Sequence, residues 1–190
     1  MHIIPEQPHH AALIEGLLED SFGADRHKKT VYRLREGVPP IAALCLVAEE
    51  DDGFLRGTLR FWLVSIAVDG TEDRVPALLL GPIAVHGGLR KTGVGTLLMN
   101  EGLSKARALG YRIVLLVGDE PYYARFGFQR KLAESLRLPG PVDIERFLAL
   151  ELVSGALDGI SGVVDTWSLN DGAADSTVPV ERADPQRLRS

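Results

Sequence analysis

The sequence has little of several features that define common protein classes. Cys45 is the only cysteine among 190 residues, so an intramolecular disulfide is impossible and a cysteine-based metal site is not expected. The net charge is −5 and the isoelectric point is about 5.5, which argues against a nucleic-acid partner because such proteins are normally basic. No apolar run approaches the roughly 20 residues that cross a bilayer, so no membrane association is expected.

The N-terminal stretch "MHIIPEQPHH" lacks the charged and then apolar pattern of a secretory signal peptide, which favours a cytoplasmic protein. The content of 45% hydrophobic and 25% charged residues is typical of one globular domain. After Trp167 the chain has few large apolar residues and is rich in Asp, Ser, Pro and Gly. We therefore expect one domain over residues 1–167 and a tail over 168–190 that packs weakly or orders against a partner, with a homodimer as one possibility.

Hydrophobic periodicity predicts helices among strands and thus an α/β (α+β) single domain with a mixed sheet. The expected helices span residues 8–22, 24–37 and 93–109, with a short one in "PYYARFGF" that leads into a strand. The main expected strands span residues 41–50, 54–68, 77–85, 111–118 and 147–152, of which the first two form a hairpin and the last is the final strand. Gly81 and Pro82 interrupt the third of these strands, and such residues often mark a bulge.

The stretch "LRKTGVGTLL" at Leu89–Leu98 lies between a predicted strand and a predicted helix, where anions often bind. It is not a P-loop, because Val94 and Gly95 stand where lysine and a hydroxyl residue belong. It is not a dinucleotide fingerprint either, because Leu98 stands where the third glycine belongs. The remaining pattern is R-x-x-G-x-G from Arg90 to Gly95, which is either a phosphate site or a tight turn with two solvated basic residues.

The wider pattern resembles the GNAT acetyltransferase superfamily and, within it, the bacterial YhbS-like N-acetyltransferases. The resemblance is carried by "LLLGPIAVHGGLRKTGVGTLL", "VGDEPYYARFGF" and "ALELVSGALDGISGVV", and it covers about residues 3–165. It implies a mostly antiparallel central sheet that is splayed at a β-bulge and flanked by helices. It also implies acetyl-CoA as the cosubstrate, no metal, and an acetyl transfer to the amine of a small molecule or a protein.

The resemblance assigns the CoA-binding residues by position. The pyrophosphate loop corresponds to Arg90, Lys91, Gly93, Val94, Gly95 and Thr96, which act mostly through backbone amides. The pantetheine arm corresponds to Ile83, Ala84 and Val85, and the Val85 amide is the expected oxyanion donor. Tyr123 matches the tyrosine of the family pattern Y-x-x-x-G-F, so the resemblance makes it the general acid that protonates the CoA thiolate.

No general base is evident, because "ALLLGPIAV" contains no carboxylate. Asp119, Glu120 and His86 are weak candidates, and a water-mediated or pre-deprotonated amine remains open. Candidates for the acceptor pocket are Phe22, Arg60, Trp62 and Trp167, and the basic cluster at 24–29 would either steer an anionic acceptor or be a solvated helix start. An acyl-CoA-binding regulatory module without turnover is the alternative function.

Overall fold

The computed structural model describes residues 1–89 and 92–167, and its strands form one sheet. In the described part of the chain the strands are β1 (His2–Pro5), β2 (Leu46–Glu49), β3 (Leu55–Val68), β4 (Arg74–Val85), β5 (Ile113–Val117), β6 (Leu136–Arg137), β7 (Phe147–Glu151) and β8 (Gly162–Thr166). The α-helices are α1 (Ala11–Phe22), α2 (Thr30–Arg33), α3 (Val94–Ala108) and α4 (Glu120–Tyr123). Short 3₁₀ segments include Ala24–Lys28 before α2 and Ala124–Phe126 after α4.

The sheet is mixed and mostly antiparallel. Its order is β1-β2-β3-β4-β5-β7, and β8 pairs with both the second half of β3 and the short strand β6. Strands β1 to β4 are antiparallel neighbours, whereas β4 and β5 are parallel and α3 connects them. The expected fold class, a mostly antiparallel sheet flanked by helices, is confirmed.

Side chains from both faces of the central strands are buried, so the sheet carries a hydrophobic core on each side. Leu78 of β4 and Val114 of β5 pack with α3, whereas their neighbours Leu79 and Leu115 pack on the opposite face. This alternation follows from the period of two along a strand. The continuously apolar sequence of β5 is typical of a strand that is covered on both faces, and its residues 113–116 are buried.

The structure corrects several predicted elements. The helix expected over residues 24–37 is divided, because Lys29 adopts an extended conformation between the 3₁₀ segment and α2. The strand expected over 41–50 begins only at Leu46, after a 3₁₀ turn. Cys45 directly before it is buried, and burial raises its thiol pKa to about 12. No strand follows "PYYARFGF" directly; Gln129 forms only an isolated bridge with Ala149. β7 is not the last strand, because β8 follows it.

Residues 168–190, where the sequence predicts a tail, lie outside the described residues, as do Arg90 and Lys91. Among the residues that are described, no helix combines the length and the apolar character needed to span a bilayer.

Candidate active site

A bulge interrupts β4 at the predicted position. Leu59 of β3 pairs with Ile83, but Phe61 pairs with Leu80, so Gly81 and Pro82 together oppose one residue of β3. Gly81 has φ +121°, a backbone angle that residues other than glycine rarely adopt, and its peptide bond to Pro82 is cis. The indole Nε1 of Trp62 donates a hydrogen bond of 2.9 Å to the Gly81 carbonyl and so holds the bulge against β3.

Beyond this bulge β4 separates from β5. The two strands pair only at Leu78 with Val114 and at Leu79 with Leu115, whereas β5 continues alongside β7 to Val117. The His86 amide donates to the carbonyl of Arg56 in β3, at 2.9 Å. Because inward and outward amides alternate along an antiparallel strand, the N–H groups of Ile83 and Val85 point away from β3, and that of Ala84 points toward it. The splayed sheet is therefore present, and its opening exposes backbone donors of β4.

A cavity of about 870 Å³ fills this opening. From β4 it is lined by residues 80–83, from the end of β5 and the turn after it by residues 116–119, and from α4 by Tyr122 and Tyr123. Its other wall comes from the end of α1, from residues 28–35 and from residues 141–146. This volume is typical of a small-molecule site. The splayed strands, α4 and the α1–α2 segment thus meet at one cavity.

Tyr123 lies in this cavity with its ring against the end of β5. A Cβ atom on Gly118 would lie 2.8 Å from the Tyr123 Cδ2 atom and closer still to Cε2, so only glycine leaves room for the ring. Burial, with smaller contributions from Tyr122 and Asp119, raises the Tyr123 pKa to about 12. The hydroxyl is therefore protonated at neutral pH, and it has no hydrogen-bond partner among the described residues.

Tyr122 lies between the cavity and α3. Its hydroxyl oxygen would lie 2.8 Å from a Cβ atom on Gly95. Its ring meets that of Tyr123 edge to face, with centroids 4.9 Å apart, and the Arg125 guanidinium lies 4.5 Å from the Tyr122 centroid. The sequence pattern singled out Tyr123 and did not indicate that Tyr122 approaches α3.

The N-terminus of α3 offers free backbone amides. Gly93 is the N-cap in the left-handed region, with φ +94°, and the first i to i−4 bond runs from the Leu97 amide to the Gly93 carbonyl. The amides of Val94, Gly95 and Thr96 therefore precede the helical hydrogen bonds, where the helix dipole favours an anion. Arg90 and Lys91, the basic residues of the predicted loop, lie outside the described residues.

The three candidate bases differ in their surroundings. Asp119 lines the cavity and its carboxylate pairs with Arg146 at 3.1 Å; it makes no side-chain capping bond to α4. Glu120 accepts a hydrogen bond of 2.8 Å from the Arg130 amide. His86 is exposed, and its ring packs against Phe54 with centroids 5.4 Å apart. Only Asp119 of these three lines the described cavity.

The predicted acceptor residues are not all at one place. Phe22 lines the cavity, whereas Trp62 and Arg60 line a smaller neighbouring cavity of about 240 Å³. Trp167 follows β8 and lines neither of these two cavities. From the basic cluster, Lys28 and Lys29 reach the main cavity.

Sequence reasoning missed Arg35 and Tyr32, which line both cavities. Arg35 keeps only 9% of its surface exposed, and its Nε and Nη1 atoms are buried without a hydrogen-bond partner in the described part of the chain. The Tyr32 hydroxyl is likewise buried and unpartnered. No sequence signal separates Arg35 from the other arginines of "VYRLREG", because its burial arises from tertiary contacts.

One group of potential metal ligands, His9, His10 and Glu49, occurs among the described residues, away from the cavity. Both ring nitrogens of His10 are already engaged: the Gln7 amide donates to Nδ1 at 2.9 Å, and Nε2 lies 2.7 Å from a Glu49 oxygen. The group is therefore explained by its internal hydrogen bonds, and the absence of a metal from the reaction stays a prediction.

Comparisons with known proteins agree with this geometry. Residues 10–130 match the family described as acetyltransferase (GNAT) domain. The uncharacterised N-acetyltransferase YhbS of Escherichia coli (strain K12) is 33% identical over 165 residues, which are 87% of this chain and 95% of that protein.

Two solved structures extend the likeness to three dimensions. The crystal structure of Escherichia coli YhbS in complex with CoA has a TM-score of 0.72 at 33% identity and covers 87% of this chain and 89% of its own. A GNAT family acetyltransferase from Brucella melitensis in complex with acetyl-CoA has a TM-score of 0.61 at 29% identity, with 88% and 96% covered. The resemblance seen in the sequence is confirmed, and the chain belongs to the GNAT family of acetyltransferases.

Proposed function

We propose that the protein transfers the acetyl group of acetyl-CoA directly to an amine acceptor. The observation that carries this proposal is the opening between β4 and β5, where the Ile83 and Val85 amides lack a strand partner and Ile83 lines the cavity. An amide-containing pantetheine arm satisfies such donors as a neighbouring strand would. The complexes of the two relatives with CoA and acetyl-CoA support this choice of ligand.

Three parts of the chain bind acetyl-CoA in this proposal. Ile83, Ala84 and Val85 bind the pantetheine arm, with the Ile83 and Val85 amides as its donors. The first-turn amides of α3 at Val94, Gly95 and Thr96, after the left-handed Gly93, bind the pyrophosphate because both dipole and free donors favour an anion there. Arg90 and Lys91 add positive charge to this loop.

The transfer needs no covalent enzyme intermediate. The neutral amine attacks the thioester carbonyl carbon, and the Val85 amide stabilises the oxyanion that forms. Collapse of this species breaks the C–S bond and gives the amide and the CoA thiolate. The Tyr123 hydroxyl protonates the thiolate, and the proton released by the amine returns to the tyrosine through solvent.

The raised pKa of Tyr123 limits how this step works. A free thiol has a pKa of about 8.5, well below the value of about 12 for Tyr123, so the transfer is uphill if the thiolate is solvated. Burial beside Tyr123 raises the thiol pKa for the same reason that it raises the phenol pKa. Tyr123 therefore acts as an acid only while the thiolate remains in the cavity beside it.

Deprotonation of the amine is assigned to solvent, with Asp119 as the nearest protein group that could accept the proton. The Asp119 carboxylate is largely exposed and paired with Arg146, so it has access to water as well as to the cavity. We therefore expect the rate to rise with pH through the pKa of the acceptor amine.

Two measurements test the proposal. Acetyl-CoA and CoA, each at 100 times its dissociation constant, should stabilise the protein by about 2.7 kcal/mol, whereas ATP and NAD should not. A thiol-release assay over a panel of amines should then show turnover that depends on the amine. A thermal shift without release for any amine would favour a CoA-binding module without turnover, and no shift with any CoA species would overturn the proposal.

A further inference from the structure

Arg35 is a buried cation whose charge is not matched by any carboxylate in the described part of the chain. It follows α2 in a turn, retains 9% of its surface, and leaves Nε and Nη1 buried without a hydrogen-bond partner. No ion pair between described residues includes it. Burial lowers its pKa to about 10, which reflects the cost of keeping this charge away from water. A group held at such a cost commonly has a ligand as its partner.

Two nearby arginines, one buried and one partly buried, show what a structural role looks like in this protein. Arg26, with 4% of its surface exposed, contacts the carboxylates of Glu15 and Glu19. Arg60 forms a bidentate salt bridge with Glu6, in which both N–O distances are 2.7 Å. Arg35 lies among these arginines, yet among described residues it alone of the three has no acid.

The guanidinium of Arg35 lies at the catalytic end of the cavity. Its Nη2 atom is 3.1 Å from the position of a Cβ atom on Gly81, the residue at the β4 bulge. The rings of Tyr32 and Trp62 lie 4.8 Å and 5.8 Å from the guanidinium and hold it from two sides. The Tyr32 hydroxyl, also buried and without a hydrogen bond of normal length, interacts electrostatically with Arg35 and adds a second donor. Two donors thus lie next to the strand that we assign to acetyl-CoA.

The wall of the cavity on the helix side is cationic as well. Lys28, Lys29 and Arg33 line it together with Arg35. The acidic lining residues already have partners, because Asp119 is paired with Arg146 and Asp143 accepts a hydrogen bond from the Glu145 amide. The field on the helix side therefore favours an anionic group.

On the basis of the proposed function, we infer that the acceptor is a small amine that bears a carboxylate. Arg35 and the Tyr32 hydroxyl bind this carboxylate. The planar fork of arginine matches a carboxylate with two parallel hydrogen bonds. Binding the carboxylate at Arg35 leaves the amine end of the same molecule free to approach the bulge of β4. Arg35 is thus a specificity-determining residue of the acceptor site.

The test compares amino acids with their own carboxamides as acceptors, which differ in charge but hardly in size. With saturating acetyl-CoA, kcat/KM for an α- or ω-amino acid should exceed that of its amide by about 100-fold, the size expected for charge-assisted hydrogen bonds. Arg35→Gln should remove this preference by lowering kcat/KM for the carboxylate form, with the amide form changed less than about threefold. Arg35→Lys should restore part of the preference.

The matched control is Arg112→Gln, which removes the same charge from an exposed residue just before β5, at the end opposite the cavity. It should leave the preference unchanged. A readout independent of turnover is the thermal shift that the amino acid produces in the presence of CoA, which should occur in the wild type and in Arg112→Gln but not in Arg35→Gln. If Arg35→Gln does not fold, Tyr32→Phe should weaken the same shift.

The possible results distinguish the carboxylate-binding role of Arg35 from the proposed acetyl transfer. Transfer to amines with equal kcat/KM for acid and amide, or better turnover of aminoalkyl phosphates than of amino acids, would overturn the inference while leaving the proposed function intact. An equal loss for both acceptor forms in Arg35→Gln would also overturn it. Binding of CoA without transfer to any amine would instead contradict the proposed function.

Discussion

Tyr123 combines a position in the cavity with a protonated hydroxyl, and this makes its role testable at a single atom. Tyr123→Phe removes the hydroxyl oxygen and keeps the ring that packs on Gly118. We expect kcat to fall by about 100-fold or more, the usual contribution of a general acid, while the affinity for acetyl-CoA is unchanged. Steady-state thiol-release kinetics and a binding titration check the two parts.

The control for Tyr123 is Tyr111→Phe. Tyr111 keeps 9% of its surface and its pKa is also raised by burial, but it lies just before β5 in the core. Its substitution should leave kcat unchanged.

The pH profile gives a further prediction for Tyr123. Because its pKa is about 12, this hydroxyl is protonated throughout the working range, and its ionisation should lower kcat only above about pH 11. A basic limb near pH 9 that disappears in Tyr123→Phe would contradict this assignment.

Arg35 affects stability as well as specificity. Its folded pKa of about 10 lies below the ordinary value of 12.5, so the charged form is penalised in the fold at every pH below about 10. Arg35→Met removes the penalty and loses the contacts with the Tyr32 and Trp62 rings, for a net gain on the order of 2 kcal/mol. The melting temperature without ligand at pH 7 should rise by about 4–8 °C.

The matched change for that prediction is Arg112→Met at an exposed position, which should move the melting temperature by less than about 2 °C because surface substitutions are usually close to neutral. An unchanged or lower melting temperature for Arg35→Met would mean that contacts within the fold offset the desolvation cost of the Arg35 charge. That result would contradict the argument that a ligand is its missing partner.

Residues of the site differed in how far the sequence could reveal them. Tyr123 and the glycines at 93 and 95 stand at fixed spacings within a family pattern, so their expected places could be written down from the sequence. Arg35 and Tyr32 could not be found in this way, because their burial depends on β3 and β4, which are distant in sequence. The close approach of Tyr122 to Gly95 is likewise a tertiary contact.

At the scale of elements, the first turn of α3 is the part whose backbone must stay open. Gly95→Ala places a Cβ atom within 2.8 Å of the Tyr122 hydroxyl and beside the free amides. Alanine favours the helix by about 1 kcal/mol, so the fold should not suffer, whereas the affinity for acetyl-CoA should fall by about tenfold. Calorimetric titration together with melting curves measures both effects.

The control at this scale is Gly16→Ala within α1, where a Cβ atom would meet nothing within 4 Å. It should raise the free energy of unfolding by about 0.5–1 kcal/mol and leave the acetyl-CoA affinity unchanged. Equal affinities in Gly95→Ala and Gly16→Ala would show that the α3 terminus does not contact the cosubstrate.

Elements with a strong hydrophobic periodicity could be predicted from the sequence, and the others could not. α1, α3 and β3 to β5 follow from runs of apolar residues with a clear spacing, and each was found near its expected bounds. The division of the second helix at Lys29 has no signal in its basic, polar sequence. β8 was missed because its five residues are polar at several positions, and only pairing with β3 makes them a strand.

At the scale of the whole molecule, the sheet is continuous, but its two sides are joined only by a short pairing between β4 and β5. Two residue pairs join β4 to β5, and beyond them the strands separate around the cavity. The presence of a splayed sheet could be expected from the Gly81-Pro82 break and the family resemblance. The position of the α1–α2 segment over the opening could not, because it depends on contacts between segments far apart in the chain.

That opening also has a consequence for hydrogen exchange. The amides of Ile83 and Val85 lie in the middle of a sheet but point away from β3, where no strand pairs with them, so in the free protein they should exchange with solvent deuterium much faster than the amides of Leu78 and Leu79 in the paired part of the same strand. Saturating CoA should slow the exchange of the first pair and leave the second pair nearly unchanged. A strand in the interior of the sheet would thus behave as an edge strand until its substrate binds.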